Sequence, residues 1–384
     1  MVTELSALRV AWLMPDIFPY RVKMMESVAE RVGRLRIFIG QNRQRKWNPD
    51  WKGLDVCELH EIKLRREYPH PGGFIDKNSL RVPFDAGRRL SDFNPHVVVS
   101  FELGPRTLAA MLWRKRHPKS LLIVDLHMSE RTEERRGRGA RRFLRRWLLN
   151  NADGVFVNGS SCTRYIKSLD IRQTEIFPLT QVTDPTSFLQ IEPRRRAAEA
   201  AQLLFVGQLI ERKGLEPFLY ALAHWAKRHP ERNIDFRIVG DGPLAGRLRE
   251  FAAPANLRVH LEGFVQYDDL DDFYAAADVF AFPTLADEWG LVVNESLAAG
   301  LPVLGSNFSQ AVEEIIEPGV TGWQFAPDSF DETLAAIEAF MNTSEAELLA
   351  MQERCREVGR HLTPELAADQ ALAAISSLMS RSSA

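Results

Sequence analysis

The sequence is short of cysteine, of long apolar runs and of net charge, and each shortage removes a class of protein. Three cysteines in 384 residues, Cys57, Cys162 and Cys355, stand far apart. They have neither the paired spacing of a zinc site nor the density of a disulfide-held secreted domain. No apolar stretch approaches the roughly 18 residues that a membrane-crossing helix needs. The opening "MVTELSALRVAWLM" places no basic residues ahead of its apolar run, which argues against a secretory leader. The formal charge of −2 gives the whole chain no attraction for polyanions. A G-x-G-x-x-G loop is also missing. The first apolar strand runs into "MPDIFPY", which excludes a dinucleotide-binding oxidoreductase. The expected location is the cytoplasm.

What is present is a regular alternation. Short, nearly all-apolar runs, "LRVAWLM", "LRIFIG", "PHVVVSFE", "SLLIVDLH" and "DGVFVNG", are separated by amphipathic helical segments. That pattern predicts a parallel sheet buried on both faces. It pauses at the polar "LTQVTDPTSFLQIEPRRRAAEA", then restarts with "AQLLFVG", "IDFRIVG", "LRVHLEG", "DVFAFP" and "LPVLGS". The length exceeds one ordinary core. We therefore expect an acceptor-side Rossmann-like domain at 1–185, a linker at 186–199 and a second domain at 200–360. A terminal helix at 361–384 crosses back toward the first domain, because Leu372, Ile375 and Met379 form an apolar face that needs a partner. Ligands of such folds bind beyond the carboxyl ends of strands.

One stretch carries chemistry, "FPTLADEWGLVVNESLAAGLPVLGSN". A strand ends at Pro283, a loop carries Asp287, and a helix starts beside Gly290. The first amides of that helix lack intrahelical acceptors and suit an anionic or hydroxyl-rich ligand. Gly290 lets backbone approach closely. Glu295 lies one turn beyond Leu291, and its carboxylate can accept both hydroxyls of a vicinal diol. On the residues alone, both acids also suit a solvated helix start, and Trp289 suits a core.

"DEWGLVVNESLAAGLPVLGS" resembles the signature of retaining glycosyltransferases of family four, an acid, seven residues, then glutamate. "LLFVGQLIERKG", "FRIVGDGP" and "VHLEGFVQYDDLDDFYAAADVFAFPT" resemble the other landmarks of that family, in order. The resemblance is specific over about 201–326 and covers the first half in layout and in "DLHMSE". It implies the α/β GT-B architecture, two facing Rossmann-like domains with the active site in the interdomain cleft. It also implies a nucleotide-diphosphate sugar as donor, a UDP- or GDP-sugar, with no cofactor and no metal.

Residue by residue, the resemblance implies that Glu295 binds the donor ribose and Asp287 the transferred sugar. Asp287 is shorter than the glutamate usual there, and Glu288 stands where glycine is usual. Lys213 supplies half of a phosphate clamp. The other half is Gln208 instead of arginine, with Arg212 a candidate to restore the charge. Gly207 and Gly242 read as points of close backbone approach, Gly290 and Leu291 as the cap over phosphates and sugar, and Val265 as part of the base-reading segment. His127 resembles the family's histidine near the transferred sugar. Catalytic roles thus fall to His127, Lys213 and Asp287. "YDDLDD" has the spacing of a metal motif but reads as an acidic helix start.

Acceptor-side candidates are Asp16, Tyr20 and Arg21 after the first strand, and Glu102 after "HVVVSF". The loops "NRQRKWNPDWKG" and "REYPHPGGF" shape the same side. "RTEERRGRGARRFLRRWLLN" holds eight arginines between 131 and 146. Its apolar residues Ala140, Phe143, Leu144, Trp147 and Leu148 either pack on the first sheet or meet an anionic bilayer. No stacking platform accompanies the arginines, so nucleic acid is not an expected partner. The leading function is retaining transfer of a hexose-type sugar to a glycan, lipid-linked or small hydroxyl acceptor. It would be peripheral on the inner membrane face and part of polysaccharide building. A nucleotide-sugar epimerase on the same fold and a non-catalytic glycan-binding protein are the alternatives.

Overall fold

The computed structural model describes residues 5–41, 51, 53–69, 74–135, 139–172, 174–192 and 199–382. The chain divides into two units, Met1–Val182 with Pro364–Ala384, and Thr183–Thr363.

The first unit carries β1 (Arg9–Met14), β2 (Arg34–Gly40), β3 (Asp55–Leu59), β4 (Glu61–Pro69), β5 (Ile75–Pro83), β6 (Val97–Phe101), β7 (Leu121–Leu126), β8 (Gly154–Val157) and β9 (Glu175–Pro178). Seven of these form a parallel sheet in the order β3-β2-β1-β6-β7-β8-β9, while β4 and β5 pair as an antiparallel hairpin. Side chains alternate across the sheet. Val10, Trp12 and Met14 enter one core with the helices Pro19–Ala29 and Pro364–Ser382. Ala11 and Leu13 enter the other core, under the helices Ala86–Phe93 and Pro105–Arg116. Both faces are covered, which is why these strands read as unbroken apolar runs.

The second unit carries β10 (Ala201–Val206), β11 (Ile234–Val239), β12 (Leu257–Gly263), β13 (Val279–Phe282), β14 (Val303–Ser306) and β15 (Gly322–Phe325). Its parallel sheet has the order β12-β11-β10-β13-β14-β15. Leu203 and Phe205 point to one core, and Leu204, Phe280 and Phe282 to the other. In each sheet the order reverses beside its first strand, between β1 and β6 and between β10 and β13. Such reversals open a crevice at the carboxyl ends of the strands.

The boundaries differ from the expected ones. The second unit starts at Thr183, and residues 186–192 of the expected linker belong to it, because Phe188 is fully buried with Leu204, Tyr274 and Phe280. Residues 193–198 lie outside the described residues. The return to the first unit falls at Pro364, after the helix Glu345–His361 has ended. Within "REYPHPGGF", read as a loop, residues 66–69 are the end of β4, and 70–73 lie outside the described residues. Residues 42–50 and 52 of "NRQRKWNPDWKG" also lie outside them.

Candidate functional site

The second unit's crevice is closed by three loops that hold one another. After β10 the chain makes a short turn, Glu211–Lys213. The Arg212 carbonyl accepts from Leu285 N at 2.8 Å and from Thr284 Oγ1 at 3.1 Å, tying that turn to the loop after β13. The Arg212 guanidinium donates to the Ala286 carbonyl at 3.2 Å. Lys213 Nζ then meets Asp287 Oδ2 at 2.5 Å, with both side chains 14% exposed. Burial alone raises the Asp287 pKa, but the Lys213 and Arg212 cations outweigh it and hold the carboxyl below its usual range. Asp287 is therefore ionised, and the ammonium rests against it.

The loop that carries Asp287 is fixed from the other side by the start of the helix Gln310–Ile315. Asp287 N donates to Phe308 O at 3.2 Å, Gln310 Nε2 donates to Glu288 O at 2.8 Å, and Ser309 Oγ donates to Trp289 O. Gly290 caps the helix Leu291–Ala298 at φ +107, and a Cβ there would lie 2.6 Å from the Phe282 ring. Trp289 is core, its indole donating to Asn294 Oδ1 at 3.0 Å. Gly242 has an internal reason to be glycine, since a Cβ would lie 2.4 Å from Leu209 O. Gln208 is exposed, Gly207 and Leu291 are partly buried, and Val265 packs against the core behind β13.

Glu295 sits apart from the ion pair, on the inner side of its helix. It is 6% exposed and accepts from Tyr274 Oη at 3.0 Å. Burial pushes its pKa up to about 7, against the hydrogen bonds of Tyr274 and Tyr267. Tyr267 also meets Thr183 Oγ1 at 3.1 Å.

In the first unit, the ends of β1 and β7 share a buried polar cluster. Arg21, in the first turn of Pro19–Ala29, places Nη2 at 2.5 Å from His127 Nε2 and 3.4 Å from Asp125 Oδ2. The Gln181 amide lies 2.8 Å from the same ring nitrogen. The same nitrogen lies 3.2 Å from Asp125 Oδ1, so Nε2 faces two donors, Arg21 and Gln181, and one carboxylate acceptor. Burial lowers the His127 pKa and the Arg21 cation adds to this, while the Asp125 carboxylate opposes both. Asp125 is 1% exposed and held below the usual carboxylate range, burial being outweighed by the charges of Arg21 and His127. Arg21 is thus a partner of His127 more than a free acceptor-side residue. Burial likewise raises the phenol of neighbouring Tyr20. Asp16 is buried, with Oδ1 accepting from Ile17 N at 2.9 Å. Glu102 is exposed at the end of β6 with φ +63, a left-handed backbone unusual for glutamate.

Asp125, Gln181, Tyr274 and Tyr267 were not anticipated from the sequence. One signal was available for Asp125, an acid inside the apolar run "LLIVDL". Among the described residues, no group of three His, Cys, Asp or Glu side chains is arranged to hold a metal ion. No helix among them is long and apolar enough to cross a membrane.

Both units match known protein families. The family described as "Glycosyl transferases group 1" matches residues 200–343, and the "Glycosyl transferase 4-like domain" matches residues 19–180. An uncharacterized glycosyltransferase of Haemophilus influenzae is 24% identical over 208 residues, 53% of this chain and 58% of that protein. The chain thus spans less than two thirds of that relative's length. The crystal structure of Anabaena HepE in complex with UDP has a TM-score of 0.70 at 14% identity, covering 97% of this chain and 100% of that one. Sucrose-phosphate synthase of Thermosynechococcus elongatus gives 0.70 at 16% identity, with 97% and 100% covered. Two Rossmann-like units, each matched by a glycosyltransferase domain in the same order, mean that the chain belongs to the glycosyltransferases of GT-B fold.

Proposed function

We propose that this protein transfers a hexose-type sugar, with retention, from a nucleotide-diphosphate sugar to a hydroxyl of a glycan or lipid-linked acceptor. The observation that carries this is the Lys213–Asp287 pair at 2.5 Å, held beside the start of the helix Leu291–Ala298 at the strand-order reversal. A diphosphate entering there takes over the ammonium, and the helix amides face its oxygens. Asp287, released from Lys213, accepts from hydroxyls of the sugar. Glu295 accepts the ribose diol. In the reaction the bond between the anomeric carbon and the diphosphate oxygen breaks, and negative charge grows on the leaving group. Lys213 is positioned to stabilise that charge. The acceptor oxygen bonds to the same face, and its proton passes to the departing phosphate. His127 is the polar group that the first unit offers to the transferred sugar.

UDP bound in the Anabaena relative supports a uridine donor. Arg212 reaches the same loop as Asp287 through Ala286, which supports its standing in for the charge missing at Gln208. The free cysteines fit a reducing compartment, and we place the protein on the cytoplasmic side, in contact with an anionic bilayer through residues 131–148. The test is a screen of UDP- and GDP-sugars with the product linkage determined by NMR. Retained anomeric configuration with one donor class supports the reading. An inverted product, or no binding of any nucleotide diphosphate, overturns it.

A further inference from the structure

The helix Ala140–Leu149 turns its apolar residues in two directions. Leu148 and Leu149 are buried in the core of the first unit. Phe143, Leu144 and Trp147 point outward, Phe143 being 72% exposed. The inner face is completed by Arg145, whose guanidinium meets buried Glu133 and Tyr165 Oη. The expected apolar face therefore splits, and only its Leu148 edge packs on the unit's core.

The neighbouring helix, Pro105–Arg116, adds to the exposed part. Leu108 and Leu112, one turn apart on one face, are 36% and 47% exposed. Lys115, a further turn along, places Nζ 5.6 Å from the Trp147 ring centroid and so brings the two helices' outer faces together. Leu108 and Leu112 on one helix and Phe143, Leu144 and Trp147 on the other are thus large apolar side chains exposed on two helices that meet at Lys115 and Trp147. Exposed apolar side chains gathered on neighbouring elements mark an interaction surface.

Charge selects the occupant. The two helices contain eight arginines and lysines and no acid. Arg106 and Arg145 are neutralised inside, by Glu61 and Glu133, and Arg141 also meets Glu133 at 3.2 Å. Arg114 meets Asp153, and Arg146 meets exposed Asp170. Arg142 bonds neutral Ser168, Lys115 lies over the Trp147 ring, and Arg116 is exposed. An apolar surface beside unneutralised cations suits an interface between acyl chains and anionic headgroups. We infer that these two helices together form a docking surface for an anionic lipid bilayer, with Leu108 and Leu112 as full members of it. This rests on the bilayer contact proposed above for 131–148 and extends it to a helix outside that segment.

The experiment is co-sedimentation of the full chain, without donor or acceptor, with phosphatidylcholine vesicles and with vesicles also containing phosphatidylglycerol. The wild type is expected to bind the phosphatidylglycerol vesicles at least tenfold more tightly than the phosphatidylcholine vesicles. Leu112→Asp and Phe143→Asp should each reduce that binding at least tenfold. Both sites are exposed, and unchanged thermal melts would show that the fold is intact. If Phe143→Asp loses binding while Leu108→Asp and Leu112→Asp keep it, the two-helix surface is refuted and the 131–148 contact stands. If the wild type ignores phosphatidylglycerol, both readings fall. If the protein is instead a dimer that Phe143→Asp splits, the surface is covered by a second copy and the inference is overturned.

Discussion

Lys213 and Asp287 hold each other, so changing either one releases the other. Asp287→Asn removes the acceptor of the transferred sugar and frees the Lys213 ammonium for phosphate. Binding of UDP alone should then be unchanged or tighter, while turnover of the sugar-bearing donor falls; calorimetry with each ligand separates the two. Equal losses for both would contradict the sugar contact. Lys213→Ala should lower the transfer rate roughly 10²–10³-fold, as for loss of one transition-state charge stabiliser, with a smaller loss in donor affinity. Glu295 has a different signature. Its folded pKa of about 7 exceeds the ordinary carboxyl value, so the fold favours the neutral acid. That contribution is fully present below about pH 4.5 and is lost as pH rises through 7. By pH 8 the unliganded fold pays about 3 kcal/mol for ionising it. Glu295→Gln should therefore stabilise the unliganded protein at pH 8 and do little near pH 4, read from denaturant midpoints. The same change should weaken nucleotide binding. A solvent-facing glutamate would give neither effect.

At the scale of elements, legibility followed burial. The strands sandwiched between helices, such as β1, β7 and β13, were readable because nearly every residue in them is apolar, Arg9 and Asp125 being the exceptions. β3 (Asp55–Leu59) and β9 (Glu175–Pro178) lie at sheet edges and mix polar with apolar residues, so nothing in their pattern stands out. The β4–β5 hairpin is half-polar by nature, with cross-strand pairs such as Ile62–Val82 beside Lys63–Arg81. The helix Leu291–Ala298 was readable from its motif, but the devices that aim its loop were not. Ser309 and Gln310 act from an element twenty residues on, and Tyr274 reaches Glu295 from another helix. Arg21, expected on an acceptor loop, faces Asp125 and His127 more than a hundred residues away in sequence. Tertiary partners of this kind leave no local pattern. The helix start itself is testable. Gly290→Ala asks an L-residue to adopt φ +107 and drives Cβ into Phe282. It should cost about 1–3 kcal/mol of stability and reduce UDP affinity by displacing the amides after it. Gly104→Ala, where a Cβ meets nothing within 4 Å, should leave UDP affinity unchanged. If both variants bind UDP like the wild type, the helix start is not the phosphate site.

The whole molecule is stitched together out of sequence order. The second unit is one continuous segment, whereas the first needs residues from both ends of the chain. Its sheet cannot cover one face with the first 182 residues alone. Ala367, Ala371, Leu372, Ile375 and Leu378 of the last helix fill the core that also contains Val10, Trp12 and Phe156. Gln370 fastens the helix by accepting from Thr180 N at 2.8 Å and donating to Thr180 Oγ1 at 3.1 Å. A chain emerging from its N-terminus must therefore keep one apolar sheet face open until the last helix arrives, while residues 183–363 already contain all of their own core. Ile375 is fully buried, so Ile375→Ala should lower stability by about 2–5 kcal/mol. The loss should be local to the first unit. Hydrogen exchange should quicken in β1, β6 and β8, while amides of β10, β11 and β13 keep their protection. Exchange rising first in β10–β14 would place the helix's contribution in the wrong unit. A truncation ending at Thr363 should be more severe than the point variant, uncovering the part of the face around Trp12 that Ala367, Ala371, Leu372, Ile375 and Leu378 fill and driving aggregation.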